Sequence, residues 1–317
     1  MGWARSGLKL AGVTCLFGLA ACTDAPWSSD RPEARPAVET PDLPPVEPSQ
    51  ASKYLAVYYQ RLQNDLLAQG LLRGDGGGPD APFTNTILAR NFVRIALFDE
   101  YTTDGDFLRP QATLSRLRKW DQPIRMSVEF GPSISAEQRQ QDRSSVAAFA
   151  GRLARITGVS IAQTETQPNF HVIFASEDDR PSFEGRIREI VPGISTSSLN
   201  AMMNLPRDQL CIVVAFSEGG SASYSKAIAL IRAEHPPLLR TSCIHEELAQ
   251  GLGLANDSPQ ARPSIFNDDE EYGLLTTHDE LLLQMLYDNR LKTGMTPAEA
   301  APIARIIARE LFPATSS

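Results

Sequence analysis

Histidine is scarce in this chain, and several short motifs that identify enzymes are missing. Four of the 317 residues are histidine, and neither His171 nor His235 stands at metal-ligand spacing from a cysteine or an aspartate. A Gly-Lys phosphate loop, a dinucleotide-binding glycine fingerprint and the Gly-x-Ser-x-Gly turn of serine hydrolases are also absent from the sequence. The sequence therefore gives no reason to expect nucleotide binding or serine-dependent hydrolysis.

Positively charged residues are also outnumbered in this chain. The chain has 30 lysines and arginines against 38 aspartates and glutamates, which gives a formal net charge of −8. A protein this acidic is a poor match for nucleic acid and for electrostatic docking on anionic lipid. No apolar run of about 20 residues follows residue 22, so no transmembrane helix is expected in the mature chain. The apolar fraction of 42% is sufficient for a packed core.

The N-terminus has the pattern of a secretory signal. Arg5 and Lys9 form a charged region, and the apolar run that follows, residues 10–19, is too short to span a membrane. Leu19-Ala20-Ala21-Cys22 resembles the lipobox of bacterial lipoproteins, a family in which the cysteine is acylated. The sequence therefore predicts a signal peptide over residues 1–21 and a lipid anchor on Cys22; an ordinary cleavable signal with an incidental cysteine is the alternative.

The anchor predicts where the protein resides. Thr23, rather than an aspartate, follows Cys22, which favours the outer membrane over the inner membrane of a bacterium. Residues 22–51 are rich in proline and are predicted to form a disordered tether between the lipid and the folded domain. We therefore expect a periplasm-facing, lipid-anchored protein.

Two cysteines remain after the signal peptide and the anchor are set aside. Cys211 opens an apolar strand and Cys243 opens a helix. An even pair in an oxidising compartment favours a disulfide, and two buried thiols are the alternative.

Hydrophobic periodicity predicts a single α/β domain over residues 52–317, with an N-terminal extension over 52–120 and a core with C-terminal helices over 121–317. The predicted helices are residues 52–72, 114–120, 135–157, 240–253, 277–288 and 297–311. The predicted strands are residues 92–98, 124–130, 169–175, 211–216 and 224–232, with the last of them at a sheet edge.

The helix over 240–253 carries the most informative motif, Glu246-Glu247-Leu248-Ala249-Gln250-Gly251-Leu252-Gly253. In zincins, two histidines at i and i+4 of such a helix bind zinc, and the glutamate after the first polarises the bound water. Aligned on Glu246, the pattern puts Glu247 at the position of the general base and Gln250 at the second ligand. Asn256, with Asp257 beside it, falls at the third ligand.

Residues 124–290 resemble a metzincin or matrixin-like domain in these motifs and in two that follow. Ser264-Ile265-Phe266 resembles the Met-turn, and Gln284 through Tyr287 resembles the closing helix. The resemblance implies a zincin-like α/β (α+β) fold with a mixed twisted sheet, a long backing helix, an active-site-type helix and an N-terminal helical extension. It also implies a cleft near Phe266 and Tyr287. His245 lies about 100° around the helix from Glu246, so it is expected beside the cleft rather than in it.

The chain also resembles a family of uncharacterised lipoproteins of Gram-negative bacteria, a domain of unknown function. That resemblance rests on Cys243 through Glu247, Gln250 through Leu254, Asn256-Asp257 and Leu286 through Thr296.

The zinc-binding histidines of the zincin pattern are replaced in this chain. Glutamine and asparagine amides are poor zinc ligands. An oxygen-rich set of Glu246, Gln250, Asn256 and Asp257 would suit calcium or another hard divalent cation. The alternative is a solvated polar face, with Ile244, Leu248 and Leu252 packed inward. Glu246 and Glu247 are adjacent, so repulsion is expected to raise the pKa of one of them.

Three functions remain open on the sequence alone, of which the third is a structural lipoprotein with no ligand. The first is a non-catalytic, degenerate metzincin-like module that binds an extended peptide or an envelope protein, with Ser225–Ile231 as the edge strand that receives the peptide. The second is a metal-dependent hydrolase with Glu247 as the general base. The replaced ligands favour the first, and no nucleic-acid partner is expected.

Overall fold

The computed structural model of the protein describes residues 47–313. The predicted signal peptide, the lipidated Cys22 and most of the predicted tether lie outside the described residues. Over residues 47–313, no helix combines the length and the apolar character needed to cross a membrane.

The described residues form helices and strands in alternation. The helices are α1 (Gln50–Ala68), α2 (Asn85–Ala96), α3 (Ala136–Thr157), α4 (Phe183–Ile190), α5 (Thr196–Met203), α6 (Pro237–Gln250), α7 (Thr277–Leu286) and α8 (Pro297–Leu311). The strands are β1 (Phe98–Asp104), β2 (Phe107–Leu114), β3 (Ile124–Phe130), β4 (Ile161–Gln163), β5 (Phe170–Ala175), β6 (Cys211–Ser217) and β7 (Tyr224–Arg232).

A five-stranded mixed sheet organises the fold. Its strand order is β4-β3-β5-β7-β6. The first four of these strands run parallel, and β6 runs antiparallel to β7. β1 and β2 form a separate antiparallel hairpin. The predicted α/β class with a mixed sheet is confirmed.

The central strand shows why this sequence makes a covered sheet. All six residues of β5 are buried, as expected for a parallel strand with helices on both faces. Val172 and Phe174 pack with α3 in the larger core, whereas Ile173 packs with α4 and α5 on the opposite face. The two-residue period of the strand thus divides its side chains between two hydrophobic layers.

Most predicted elements are confirmed, and two are wrong. Residues 92–98, predicted as a strand, belong largely to α2, in which Leu88, Phe92 and Ile95 are buried at helical spacing. The Thr84 hydroxyl caps this helix by accepting a hydrogen bond from the backbone N–H of Ile87. Residues 114–120, predicted as a short helix, run extended from the end of β2.

The predicted edge strand is also wrong. β7 lies between β5 and β6, so Ser225–Ile231 has partners on both sides and cannot receive a peptide strand. The edge of the sheet on this side is β6. The prediction failed because β7 carries polar residues at its start, although its last six residues are all buried.

Two contacts fix helix α6 in the fold. The predicted disulfide between Cys211 and Cys243 is confirmed, and it joins α6 to the edge strand β6. On the opposite side, the Arg240 Nε donates a hydrogen bond of 2.6 Å to the carboxylate of Asp142 on α3. Both side chains of this ion pair are buried. Helix α6 is therefore held between the edge strand and the backing helix.

Candidate binding cleft

A cleft with a volume of about 310 Å³ lies between α6, the edge strand β6 and the β1–β2 hairpin. Seven of its 16 lining residues are acidic, and none of the described residues that line it is a lysine, an arginine or a histidine. We call it the acidic cleft. Its acidic residues are Glu100, Asp208, Glu246, Glu247, Asp257, Asp268 and Glu270.

Helix α6 supplies the floor of the acidic cleft. Its apolar side chains Ile244 and Leu248 are buried in the main core. The helical period then turns Glu246, Glu247 and Gln250 toward the cleft. Glu246 is half-buried, whereas Glu247 is only 3% exposed, so the two adjacent carboxylates meet the cleft at different depths.

The loop that follows α6 closes one end of the cleft with three further acids, Asp257, Asp268 and Glu270. The amide of Gln250 donates a hydrogen bond of 3.1 Å to the Asp257 carboxylate, which ties the loop to the helix. Asp268 and Glu270 have left-handed backbone angles, with φ of 63° and 55°. Non-glycine residues rarely adopt this conformation, and it is frequent at functional sites.

The β1–β2 hairpin forms the wall opposite β6. Glu100 and Tyr101 from β1 line the acidic cleft. The side-chain amide of Gln209 donates a hydrogen bond of 2.9 Å to the Tyr101 hydroxyl. At the hairpin turn, the Asn200 amide of α5 donates to the backbone carbonyl of Asp106. These two bonds fasten the hairpin across the cleft.

A second groove of about 220 Å³ continues along the same edge of the sheet. It shares Glu100, Tyr101 and Gln250 with the acidic cleft and is lined by β6 from Ile212 to Ala215. The outer edge of β6 therefore borders open space over most of the strand. An edge strand of this kind presents unpaired backbone N–H and C=O groups.

Burial and mutual repulsion raise the pKa values of acids in the cleft. Burial, together with Asp268, raises the pKa of Glu100 to about 7. Burial is also the largest cause that raises the pKa of Glu246, of Glu247 and of Asp257 well above the usual range of a carboxyl group, and neighbouring carboxylates add to it. The cleft therefore favours protonated acids or a bound positive charge over several bare carboxylates.

One carboxylate oxygen in the cleft has no partner. Glu247 Oε2 is buried and makes no hydrogen bond to any of the residues 47–313. A buried polar atom without a partner costs about 1–3 kcal/mol, more when it is charged. Glu247 itself lines the cleft, so this cost falls on a residue of the candidate site.

The cleft does not fit the zinc site that the zincin resemblance implies. Glu246, Glu247 and Cys211 bring ligand atoms within 4.8 Å of one another, but the sulfur of Cys211 is bound in the disulfide. Zinc sites in proteins are built mainly from histidine nitrogens and free thiolates, and none of the described residues lining the cleft offers either. The remaining donors are carboxylate oxygens, which suit hard cations and positively charged groups.

Four of the residues predicted at this site have other surroundings. Asn256, predicted as a ligand, uses its amide to donate to the backbone carbonyls of Arg94 and Asp257. His245 stacks on Phe149 with ring centroids 3.9 Å apart. Phe266 is fully buried in the core, and the Tyr287 hydroxyl donates to the Leu252 carbonyl. None of the four lines the acidic cleft.

Sequence reasoning missed the acids that come from outside helix α6. Glu100 lies on a hairpin that was not predicted, and its approach to Glu247 depends on tertiary packing alone. The run Asp268-Asp269-Glu270-Glu271 is visible in the sequence. A block of like charges close to a motif helix is a signal that could have identified this end of the cleft.

Comparison with known proteins gives one match. Residues 85–306 match a family model described as "Protein of unknown function (DUF2927)". No match was found among curated proteins or among solved structures. The matched range includes the hairpin, the sheet, α6 and the loop after it, and thus every residue of the acidic cleft.

Proposed function

The chain belongs to the DUF2927 family of proteins of unknown function, and we propose that its acidic cleft binds an extended, positively charged peptide segment along the edge of β6. The observation that carries this proposal is the pairing of an open strand edge with seven acidic lining residues in one cleft. The edge offers main-chain hydrogen bonds, and the acids select lysine or arginine side chains.

The geometry of strand addition explains how both features act together. A peptide that adds to β6 as a sixth strand has side chains that alternate between the two faces of the sheet. Lysines at every second position would then all point to the same face. In the register that turns them toward α6, they approach Glu246 and Glu247, which line the cleft.

A degenerate zincin-like ancestry fits the same cleft. β3, α3, β5, β6 and β7 precede the helix that carries Glu246 and Glu247, and this strand-helix-strand-strand-strand order suits the N-terminal lobe of a zincin. In this proposal the chain keeps the peptide-binding edge of a zincin and has exchanged the zinc ligands for Glu246, Gln250 and Asn256. The domain is then a binding module rather than a peptidase.

The proposal predicts charge-selective peptide binding. An acetylated hexapeptide of alternating valine and lysine should bind the protein, and the matching valine–glutamate peptide should not. Glu246→Gln should weaken binding of the lysine peptide about tenfold, because one charge-assisted contact is worth about 1.5–3 kcal/mol. Isothermal titration calorimetry at low and high salt provides the measurement, and binding should weaken with salt.

Glu218→Gln is the matched control, since Glu218 is an exposed glutamate in the turn after β6 and does not line the cleft. Equal binding of both peptides, or equal weakening by both variants, would contradict the proposal. Cleavage of the lysine peptide that is lost in Glu247→Gln would instead support the metal-dependent hydrolase, with Glu247 as the general base.

We also propose that the protein is a lipid-anchored envelope protein. The lipobox at Cys22 and the proline-rich segment after it support an anchor with a tether, and the disulfide supports an oxidising compartment. The wild-type protein should incorporate labelled palmitate in a Gram-negative host, and Cys22→Ser should abolish this incorporation. A wild-type protein that takes up no label would contradict the anchor.

A further inference from the structure

A second cavity, between two helices, has the opposite charge. A groove of about 660 Å³ lies between α2 and α8. Four arginines line it, Arg90 and Arg94 from α2 and Arg305 and Arg309 from α8. This concentration of positive charge is notable in a protein with a formal net charge of −8.

The arginines of this groove lack acidic partners. None of the four forms an ion pair with a carboxylate of residues 47–313, although most other arginines of the described chain do so. The acid that follows Arg309 in sequence, Glu310, is bound to Arg290 at 2.6 Å. Arg94 hydrogen-bonds the side chain of Gln260, and Arg309 bonds the backbone carbonyl of Arg305.

The spacing of the arginines concentrates positive charge along the groove. Arg90 and Arg94 are four residues apart on one helix, and Arg305 and Arg309 are four residues apart on the other. Like charges at this spacing lie on the same helix face and destabilise the helix. Two such pairs that line one groove add repulsion between the helices, and an anion bound in the groove removes it.

The other lining residues indicate which chemical group is attached to the anion. The groove is also lined by Ala89, Val93, Phe98 and Ala301, which provide an apolar surface between the guanidinium groups. Its volume lies within the range of about 300–1,000 Å³ that is usual for small-molecule sites. Arginine guanidinium groups bind phosphate oxygens in pairs.

We propose that this arginine groove binds a phosphate ester whose other part is apolar. The guanidinium groups hold the phosphate, and the apolar lining holds the remainder of the molecule. A lipid headgroup with its first acyl carbons and a soluble organic phosphate share this chemistry. The site is separate from the acidic cleft and does not depend on the function proposed for it.

The test uses the full-length chain in a neutral detergent and three probes. The probes are dihexanoyl phosphatidylglycerol below its critical micelle concentration, phenyl phosphate and inorganic phosphate, with binding followed by calorimetry. At least one of the two esters should bind about tenfold or more tightly than inorganic phosphate, because only the esters bury apolar groups in the groove. Tighter binding of the lipid identifies a headgroup site, and tighter binding of phenyl phosphate identifies a soluble ligand.

Arg90→Gln and Arg305→Gln should each weaken ester binding about tenfold, the loss expected for one charge-assisted contact. Both side chains are exposed, so the variants are expected to fold, and unchanged circular dichroism checks this. Arg61→Gln, at an exposed helical arginine of α1, is the matched control and should leave binding unchanged. Absence of ester binding at millimolar concentration, or equal weakening by Arg61→Gln, would overturn the proposal.

Discussion

Replacing Glu100 with glutamine is expected to stabilise the domain at pH 8 by about 2–3 kcal/mol and to change it little at pH 5. Burial and the nearby Asp268 raise the pKa of Glu100 in the fold to about 7, from an ordinary value of 4.5. Because the folded pKa is the higher one, the folded state retains the proton that the unfolded chain releases. The contribution of Glu100 to the free energy of unfolding is therefore lost as the pH rises from about 4.5 through about 7.

Urea denaturation of the wild-type protein and Glu100→Gln at pH 5 and pH 8 measures this effect. The buried His235 and the half-buried His245 act in the opposite direction, since burial lowers the pKa of each to about 3 and destabilises the fold in acid. Their contribution cancels in the difference between wild type and variant at each pH. Glu218→Gln, an exposed glutamate outside the cleft, should show no such pH dependence.

An equal change in stability at both pH values would contradict the electrostatic account of the cleft. A loss of stability at pH 8 on replacing Glu100 would show that a cation already neutralises the acids. Adding a chelator to the wild-type protein distinguishes a metal ion from other cations in that case, because a chelator removes only the metal.

Breaking the buried ion pair between Asp142 and Arg240 is expected to cost about 3–5 kcal/mol. The two side chains are 3% and 6% exposed, and burial raises the pKa of Asp142 more than Arg240 lowers it. Asp142→Ala would therefore leave the Arg240 guanidinium buried without its counter-charge, although its bond to the His235 carbonyl remains. Denaturation midpoints at pH 7 provide the measurement.

The double variant Asp142→Leu, Arg240→Met is the control for this prediction. Removal of both charges leaves no unpaired ion, and such replacements are often neutral or stabilising. The double variant should therefore recover most of the stability that Asp142→Ala loses. A cost below about 1 kcal/mol for Asp142→Ala, or a double variant as unstable as the single one, would show that the pair does not hold α6 against α3.

The parts of the fold that follow from local pattern were predictable. β5 and α3 have long, consistent apolar periods, so their bounds were predicted to within one residue. The β1–β2 hairpin was not predicted, because its strands are half-buried or exposed and β2 contains Pro110. Strand β7 was found but placed at the edge, since the order of strands depends on long-range pairing that its own sequence does not reveal.

The candidate site also combines residues that could be predicted from the sequence with residues that could not. Glu246, Glu247 and Gln250 could be placed on a common surface because one helix carries them. Glu100 comes from a distant hairpin, and no local pattern connects it to α6. His245 is next to Glu246 in sequence, but a rotation of about 100° per residue turns it away, and it packs on Phe149 instead.

The central claim is that a positively charged strand binds beside β6 in the acidic cleft. Its most direct test is a titration of the 15N-labelled protein with the valine–lysine hexapeptide, followed by amide NMR spectra. The account predicts shifts at the backbone amides of Ile212 through Ala215 and at the side-chain amide of Gln250, with exchange protection of the β6 amides. Shifts confined to other surfaces, or none at millimolar peptide, would contradict it.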